Sequence, residues 1–388
     1  MSEPRIILFH PTARSGLGHV SRLSAIALAL RQIDPSVQTP FAIQGDGRLL
    51  LEALSLHCVP LPSGPAARMT KTWVLQMSDE RSPVLAEASL EILASVHPQI
   101  VVFDCYPNPE FAEAVVASKI PIVLCLRQMR DLAKYLHHAQ SFLPQVNLIL
   151  IPHQENAFEL PEELKTKSCF VGQIARPIEH LREPKRRLDQ PHIVITGGGG
   201  GSATNLEFYN LAMRAISELR KEYPNLEARL IAGPFFRQWP QLEPTEGVSA
   251  VPFEPDTLSV FGAADLVISR AGYNTVSELE QLGTKAILVP VETPGDDQFA
   301  RADRVESLYP YFRRFRGSDH IALARLASEL LRDTIPAAGR PQFEGAGKAA
   351  CLLYSMLERI TLSENSGLES AGAQHFVRRC FESRREDE

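Results

Sequence analysis

Residues 264–304 read ADLVISRAGYNTVSELEQLGTKAILVPVETPGDDQFARADR, and the order of elements in this stretch decides the fold. Asp265–Arg270 is an apolar run ending in a charge, the spacing of a buried strand, and Ala271-Gly272 is a turn. Thr275 and Glu278 have capping-box spacing at the head of a helix, which Leu279 and Leu282 continue and Gly283 ends. Lys285–Pro290 is a second buried strand, followed by a loop and another helix. A loop leaving the carboxyl end of a parallel strand for a helix N-terminus is where open α/β sheets hold phosphorylated ligands. Here that loop brings a cation, Arg270, and a carboxylate, Glu278.

Working outward, His192–Thr196 is a strand and residues 197–201 are five consecutive glycines. Such a run can fold tightly against a ligand and offer backbone N–H groups at a helix start, which makes Gly198, Gly199, Gly200 and Ser202 candidate anion-binding residues. Thr204 and Glu207 have capping-box spacing for the next helix, expected to run to about Glu222. The run lacks the Lys-Ser/Thr of a Walker loop, and Ser202 stands where a dinucleotide fingerprint needs its last glycine.

The first half alternates strands and helices: Arg5–Phe9, Phe41–Gln44, Cys58–Leu61, Gln99–Asp104, Pro121–Arg127, Asn147–Ile151 and Ser168–Val171 are the strands. This alternation implies an α/β chain with mostly parallel sheets covered on both faces. After the first strand, Gly16 and Gly18 allow close backbone approach and positive φ, and His19 falls on the first turn of an Ala/Leu-rich helix with Arg22 on its face. Asp104 ends its strand at the ligand edge, a further candidate for acceptor contact or base work.

Composition bounds the rest. Hydrophobic residues at 44% and charged residues at 22% suit a water-soluble chain, and 388 residues suit two domains. A net charge of -6 argues against general nucleic-acid binding. Six scattered cysteines, with no C-x-x-C, suggest reduced thiols in a cytoplasmic protein and neither a disulfide frame nor a metal site. There is no signal-type start and no apolar run of membrane-span length, so any membrane contact is expected to be peripheral. The expected boundaries are 1–175 for a first domain, 176–190 for a polar basic linker, 191–360 for a second domain and 361–388 for a polar tail. Gly64–Thr70 reads as a mobile loop.

Ser269, Arg270, Gly272, Thr275, Glu278, Gln298 and Ala302 form the pattern S-R-x-G-x-x-T-x-x-E followed by Q-x-x-x-A. This resembles the C-terminal half of GT-B glycosyltransferases, specifically the undecaprenyl-diphosphomuramoylpentapeptide N-acetylglucosaminyltransferase (MurG-like) type with a family 28 C-terminal domain. G-x-G-H-x-x-R at residues 16–22 is similar to the amino-terminal motif of the same enzymes and of some sugar-nucleotide hydrolases. The resemblance implies a GT-B fold of two Rossmann-like parallel-sheet domains facing a cleft. It implies that Glu278 holds the ribose hydroxyls of a UDP-sugar and that Arg270 and the Gly272 turn lie near the diphosphate. Gln298 would then reach the sugar from the acidic/amide loop that also carries Asp297, and Phe253 would stand near the uracil. On the acceptor side, Gly16, Gly18, Arg22 and Asp104 would surround His19, the candidate base. The implied reaction moves a hexose-type sugar from a nucleotide donor to an acceptor without metal or cofactor. A lipid-linked acceptor, at the inner membrane face, is suggested by the resemblance alone. Two rivals use the same residues: a nucleotide-sugar hydrolase or epimerase, and a non-catalytic nucleotide-sugar binding protein.

Overall fold

The computed structural model describes residues 4–12, 16–62, 82–155, 157–178, 190–293, 295–333 and 340–366. The expected loop at Gly64–Thr70, the basic run Lys185-Arg186-Arg187 and the tail beyond 366 lie outside these residues. The chain forms two units: one of residues 1–13, 19–174 and 343–388, the other of residues 175–342 with 14–18.

In the first unit the chain runs β1 (Ile7–His10), α1 (Gly18–Ile33), β2 (Phe41–Ile43), α2 (Arg48–Ala53), β3 (Cys58–Pro60), α3 (Pro83–Val96) and β4 (Ile100–Asp104). It continues α4 (Pro109–Ala117), β5 (Ile122–Cys125), α5 (Leu132–His138), β6 (Leu148–Ile151), α6 (Glu162–Lys165) and β7 (Ser168–Phe170). Every strand pairing is parallel, in the order β3-β2-β1-β4-β5-β6-β7. The strands are mostly apolar because helices cover both faces, with polar residues at strand ends such as His10 and Asp104; Leu8, Val101, Phe103 and Leu124 are fully buried. Helix α4 starts where a side chain meets an orphan N–H: Asn108 accepts from Phe111 N at 3.0 Å, with Pro109 at the first helical position.

The second unit runs β8 (His192–Thr196), α7 (Asn205–Leu219), β9 (Glu227–Ile231), β10 (Val248–Val251), α8 (Thr257–Ala263), β11 (Leu266–Ser269), α9 (Tyr273–Leu282), β12 (Ala286–Leu288), α10 (Gln298–Leu308), β13 (Phe312–Arg314) and α11 (His320–Arg332). Its strand order is β10-β9-β8-β11-β12-β13, again parallel at every pairing. Two apolar clusters, one around Ile195, Phe208 and Leu230 and one around Val194, Val267 and Leu279, sandwich the sheet. Two Rossmann-like parallel sheets flanked by helices are the GT-B class of fold expected from the sequence.

The C-terminal helix α12 (Gly345–Ser366) belongs with the first unit, which corrects the expected 191–360 boundary of the second domain. Its Ala349, Ala350, Leu353 and Leu357 are buried. Tyr354 accepts at its hydroxyl from Arg5 Nη1 at 3.4 Å and donates to Asp34 Oδ2 at 3.3 Å, tying the helix to residues beside β1 and α1. Ala175 and Arg176, read as the domain edge and linker, already belong to the second unit. Strand β13 was not foreseen, because Phe312-Arg313-Arg314 carries two arginines in three residues.

Neither expected capping box forms. Helix α9 starts three residues earlier, with Gly272 as its N-cap in place of Thr275, so Glu278 falls in its second turn and takes a tertiary partner. Thr204 precedes α7 but makes no side-chain cap bond; its hydroxyl faces Arg270 instead. Gly283 ends α9 in the left-handed conformation, φ +65, as expected. Gly16 and Gly18 do not use positive φ. Among the described residues no helix is long and apolar enough to cross a membrane.

Candidate active site

Each sheet has one place where strand order reverses, and there the loops diverge and leave a crevice at the carboxyl edge. In the first unit this is between β1 and β4, in the second between β8 and β11. A polar cluster sits at each.

In the first unit, His19 on the first turn of α1 and Asp104 at the end of β4 meet: His19 Nδ1 is 2.6 Å from Asp104 Oδ1. Arg22, one turn further on, donates through Nε to Asp104 Oδ2 at 3.0 Å. Asp104 is fully buried. Burial opposes its charge, but Arg22 and His19 beside it hold its carboxyl below the usual carboxylate range. An ionised carboxylate only accepts, so the proton of the pair is on Nδ1, and in the neutral ring the lone pair of His19 is then on Nε2. Cys105 next in sequence has φ +48, an uncommon conformation for a non-glycine residue. Its backbone N–H donates to Cys125 O at 2.9 Å, which fixes the strand end that presents Asp104.

The sequence suggested these residues one at a time; the structure joins His19, Arg22 and Asp104. It also gives Arg22 a different neighbour from the expected acceptor, because its guanidinium is buried against Asp104. Potential ligand atoms of His19, Asp104 and Cys105 lie within 4.8 Å of one another. They do not fit a metal ion: both Asp104 oxygens are engaged, a guanidinium adjoins them, and burial pushes the Cys105 thiol up to about 12.

In the second unit, β8 and β11 end side by side, Thr196 paired with Ser269. The glycine run leaves β8, and the Arg270-Ala271-Gly272 turn leaves β11. A pocket opens here, lined by Gly197, Gly198, Ser202, Asn205, Arg270, Gly272, Thr275, Val291, Thr293 and Gln298. Gly198 and Gly200 have φ of +74 and +87, and a Cβ on Gly200 would stand 2.3 Å from Ala232 O. Only glycine makes this turn at that spacing. Gly198 N–H is met by Thr196 Oγ1 at 3.1 Å, and Gly197 N–H by the Tyr209 hydroxyl at 3.2 Å, which in turn donates to Ala232 O.

Arg270 spans the pocket wall. Its Nη2 donates to Thr204 O at 2.8 Å and its Nη1 to Val289 O at 3.2 Å, while the guanidinium lies 4.6 Å over the Phe208 ring. Its Nε is buried with no hydrogen-bond partner. Among the described residues no carboxylate is within ion-pairing distance of it, and burial pushes its pKa down to about 10. A partly desolvated cation held by neutral carbonyls favours an incoming anion.

The loop between β12 and α10 forms the opposite wall. Arg301 grips Asp296 through both carboxylate oxygens at 3.0 and 2.6 Å and donates to Ala271 O at 2.8 Å. Thr293 donates to Asp296 O at 2.9 Å, and Gln298 Oε1 accepts from Val291 N at 3.3 Å. Asp297 caps α10, accepting from Ala300 N at 2.9 Å, and does not line the pocket.

Glu278 is also set back from the pocket lining. It is buried and paired with Arg176, whose Nε is 2.9 Å from Glu278 Oε1, while Thr257 Oγ1 lies 3.3 Å from Oε2. Arg176 Nη1 donates to Pro255 O at 3.1 Å, two residues after the half-buried Phe253. Gly199 and Gly200 back the turn: Gly199 O accepts from Phe235 N at 3.0 Å. Sequence reasoning missed Arg176, hidden in an apparent linker, and Asn205, masked by the expectation of a Thr204 cap.

The fold and these clusters define a class: GT-B-type chains of two Rossmann-like units. Residues 192–309 match the model of the Glycosyltransferase family 28 C-terminal domain. The chain is 26% identical over 223 residues to the UDP-N-acetylglucosamine--N-acetylmuramyl-(pentapeptide) pyrophosphoryl-undecaprenol N-acetylglucosamine transferase of Rickettsia felis, a match covering 54% of this chain. It thus spans about 60% of the length of that relative. The fold is similar to the spinosyn forosaminyltransferase SpnP, with a TM-score of 0.58 at 16% identity over 98% of this chain and 99% of that one. It is also similar to the UDP-GlcNAc 2-epimerase from Neisseria meningitidis bound to UDP-GlcNAc, with a TM-score of 0.57 at 14% identity over 92% and 100%.

Proposed function

We propose that the protein is a glycosyltransferase that takes a hexose-type sugar from a nucleotide donor, UDP-linked, and passes it to an acceptor hydroxyl. The observation that carries this reading is Arg270, a half-buried cation with no carboxylate partner among the described residues, set in a pocket with the glycine turn and the start of α7. Donor cleavage breaks the bond between the anomeric carbon and a diphosphate oxygen, and the electron pair stays with the diphosphate. Arg270 and the helix N-terminus meet that charge with donors already in place. Thr275, Thr293 and Gln298 in the same pocket offer polar contacts to the sugar end.

His19 takes the acceptor proton. With Nδ1–H donated to Asp104, Nε2 is the free base, and the imidazolium that forms is stabilised by the buried carboxylate. The family 28 domain and the likeness to the Rickettsia transferase support this reading. The acceptor is a proposal from likeness alone: a lipid-linked saccharide reached by peripheral contact.

A second reading is favoured by one observation. A His–Asp pair activates water as readily as a sugar hydroxyl, and a UDP-GlcNAc epimerase shares the fold. A thermal-shift panel of UDP-, GDP- and dTDP-sugars tests the donor site, because bound ligand stabilises by mass action. UDP-sugars should raise the melting point most; a panel with no shift overturns the proposal. Product analysis after incubation with UDP-GlcNAc alone separates the readings, since fast release of free sugar or an isomer marks the hydrolase or epimerase.

A further inference from the structure

Asn205 is a polar side chain whose hydrogen bonds are missing. It sits on the first turn of α7, a helix of 15 residues, and is 1% exposed. Both its Oδ1 and its Nδ2 are buried without a partner. Its backbone N–H is separately engaged with Ser202 O at 3.1 Å. Its carboxamide lies against the glycine turn: a Cβ on Gly197 would stand 2.8 Å from Asn205 Oδ1. The residue lines the pocket that also receives Arg270.

A buried amide left unpaired is costly, and native structures keep such groups rarely and for a reason. A packing role does not supply one, since Ala or Leu would fill the first turn of a helix without desolvating a carboxamide. Part of that cost, the share carried by Nδ2, is recovered when an accepting ligand enters. Of the three buried, unpartnered polar atoms on the pocket's lining residues, two are donors, Asn205 Nδ2 and Arg270 Nε, and one is an acceptor, Asn205 Oδ1, beside the positive end of α7. Two donors on one wall fit a group that only accepts.

We infer that Asn205 is a ligand-binding residue whose Nδ2 donates to a phosphate oxygen of the nucleotide diphosphate. This rests on the donor reading above and adds to it a contact on the phosphate, not on the sugar or base. Asn205 holds the diphosphate by a neutral donor where Arg270 supplies the charge.

The two substitutions Asn205→Ala and Asn205→Asp separate the possibilities, with UDP, UDP-GlcNAc and inorganic pyrophosphate as calorimetric titrants. A lost hydrogen bond to a charged group weakens binding of UDP and pyrophosphate by about tenfold or more in Asn205→Ala. Asn205→Asp, nearly the same shape but anionic, should be worse than alanine. Asn205→Ala without ligand should melt no lower than wild type, because an unpaired buried amide has been removed. A contact to a sugar hydroxyl gives the opposite order: aspartate accepts a hydroxyl well, UDP affinity is unchanged, and only UDP-GlcNAc responds. That result, or unchanged affinity for every titrant, overturns the inference while leaving the donor reading intact. If pyrophosphate binding depends on Asn205 but UDP binds no better than pyrophosphate, the inference stands and the nucleotide reading fails. Wild type binding none of the three overturns both.

Discussion

Arg176 and Glu278 form an ion pair in which Nε and Nη2 stand 2.9 and 2.8 Å from the same carboxylate oxygen, with both side chains less than a tenth exposed. A residue that looked like linker therefore grips the carboxylate expected to hold a ribose. Removing one member of a buried pair strands the other and costs about 3–5 kcal/mol. Arg176→Met should lower the melting point by several degrees, and adding Glu278→Gln should recover much of the loss. A double-mutant cycle on urea midpoints checks this. Additive effects would show that the pair is not coupled.

His19→Gln should reduce turnover by about a hundredfold or more with little change in melting temperature or donor affinity, as expected for a lost general base. Asp104→Asn should slow turnover as well, because the amide no longer fixes the Nδ1–H tautomer. Steady-state rates with saturating donor are the check. A His19→Gln enzyme of wild-type rate would remove His19 from the chemistry.

Asp104 also links stability to pH. Its carboxyl is held below the usual range in the folded protein, despite burial, by Arg22 and His19. The unfolded chain binds that proton near pH 4, the folded one only at lower pH. The contribution to stability is therefore complete above about pH 4 and is lost as pH falls through the folded value. Between pH 6 and pH 3, wild type should lose more stability in urea than Asp104→Asn does. Equal losses would mean that Asp104 is not held ionised.

Gly200→Ala and Gly347→Ala should act in opposite directions. The first forces a Cβ to 2.3 Å from Ala232 O at a φ of +87; the second adds a Cβ inside α12 with nothing within 4 Å. The expected changes are a loss of ~1–3 kcal/mol or more at Gly200 and a gain of ~0.5–1 kcal/mol at Gly347. Thermal denaturation of both variants is the measurement.

What could be read from the sequence follows the range of the physics. Strands such as β4, Ile100–Asp104, announce themselves because a parallel strand buried on both faces is a near-continuous apolar run, here Ile100 to Phe103. The glycine turn was legible because five consecutive glycines serve few other purposes. Strand β13 was hidden because its pairing with β12 outweighs the poor local preference of Phe312-Arg313-Arg314. The Thr275–Glu278 and Thr204–Glu207 spacings were misread as capping boxes because a spacing rule is local, whereas Arg176 reaches Glu278 and Arg270 reaches Thr204 across 102 and 66 positions. The union of Arg22 with Asp104, 82 positions apart, and the return of α12 to the first unit are likewise products of chain topology, which no local pattern encodes.

The central claim is that the backbone of the glycine turn and the two helix N-termini beside it receive a nucleotide diphosphate. Hydrogen–deuterium exchange with and without UDP reads those N–H groups directly. The account predicts slowed exchange in residues 197–206 and 270–280 on adding UDP. UDP binding that leaves both segments unchanged, with protection elsewhere in the chain, would contradict it.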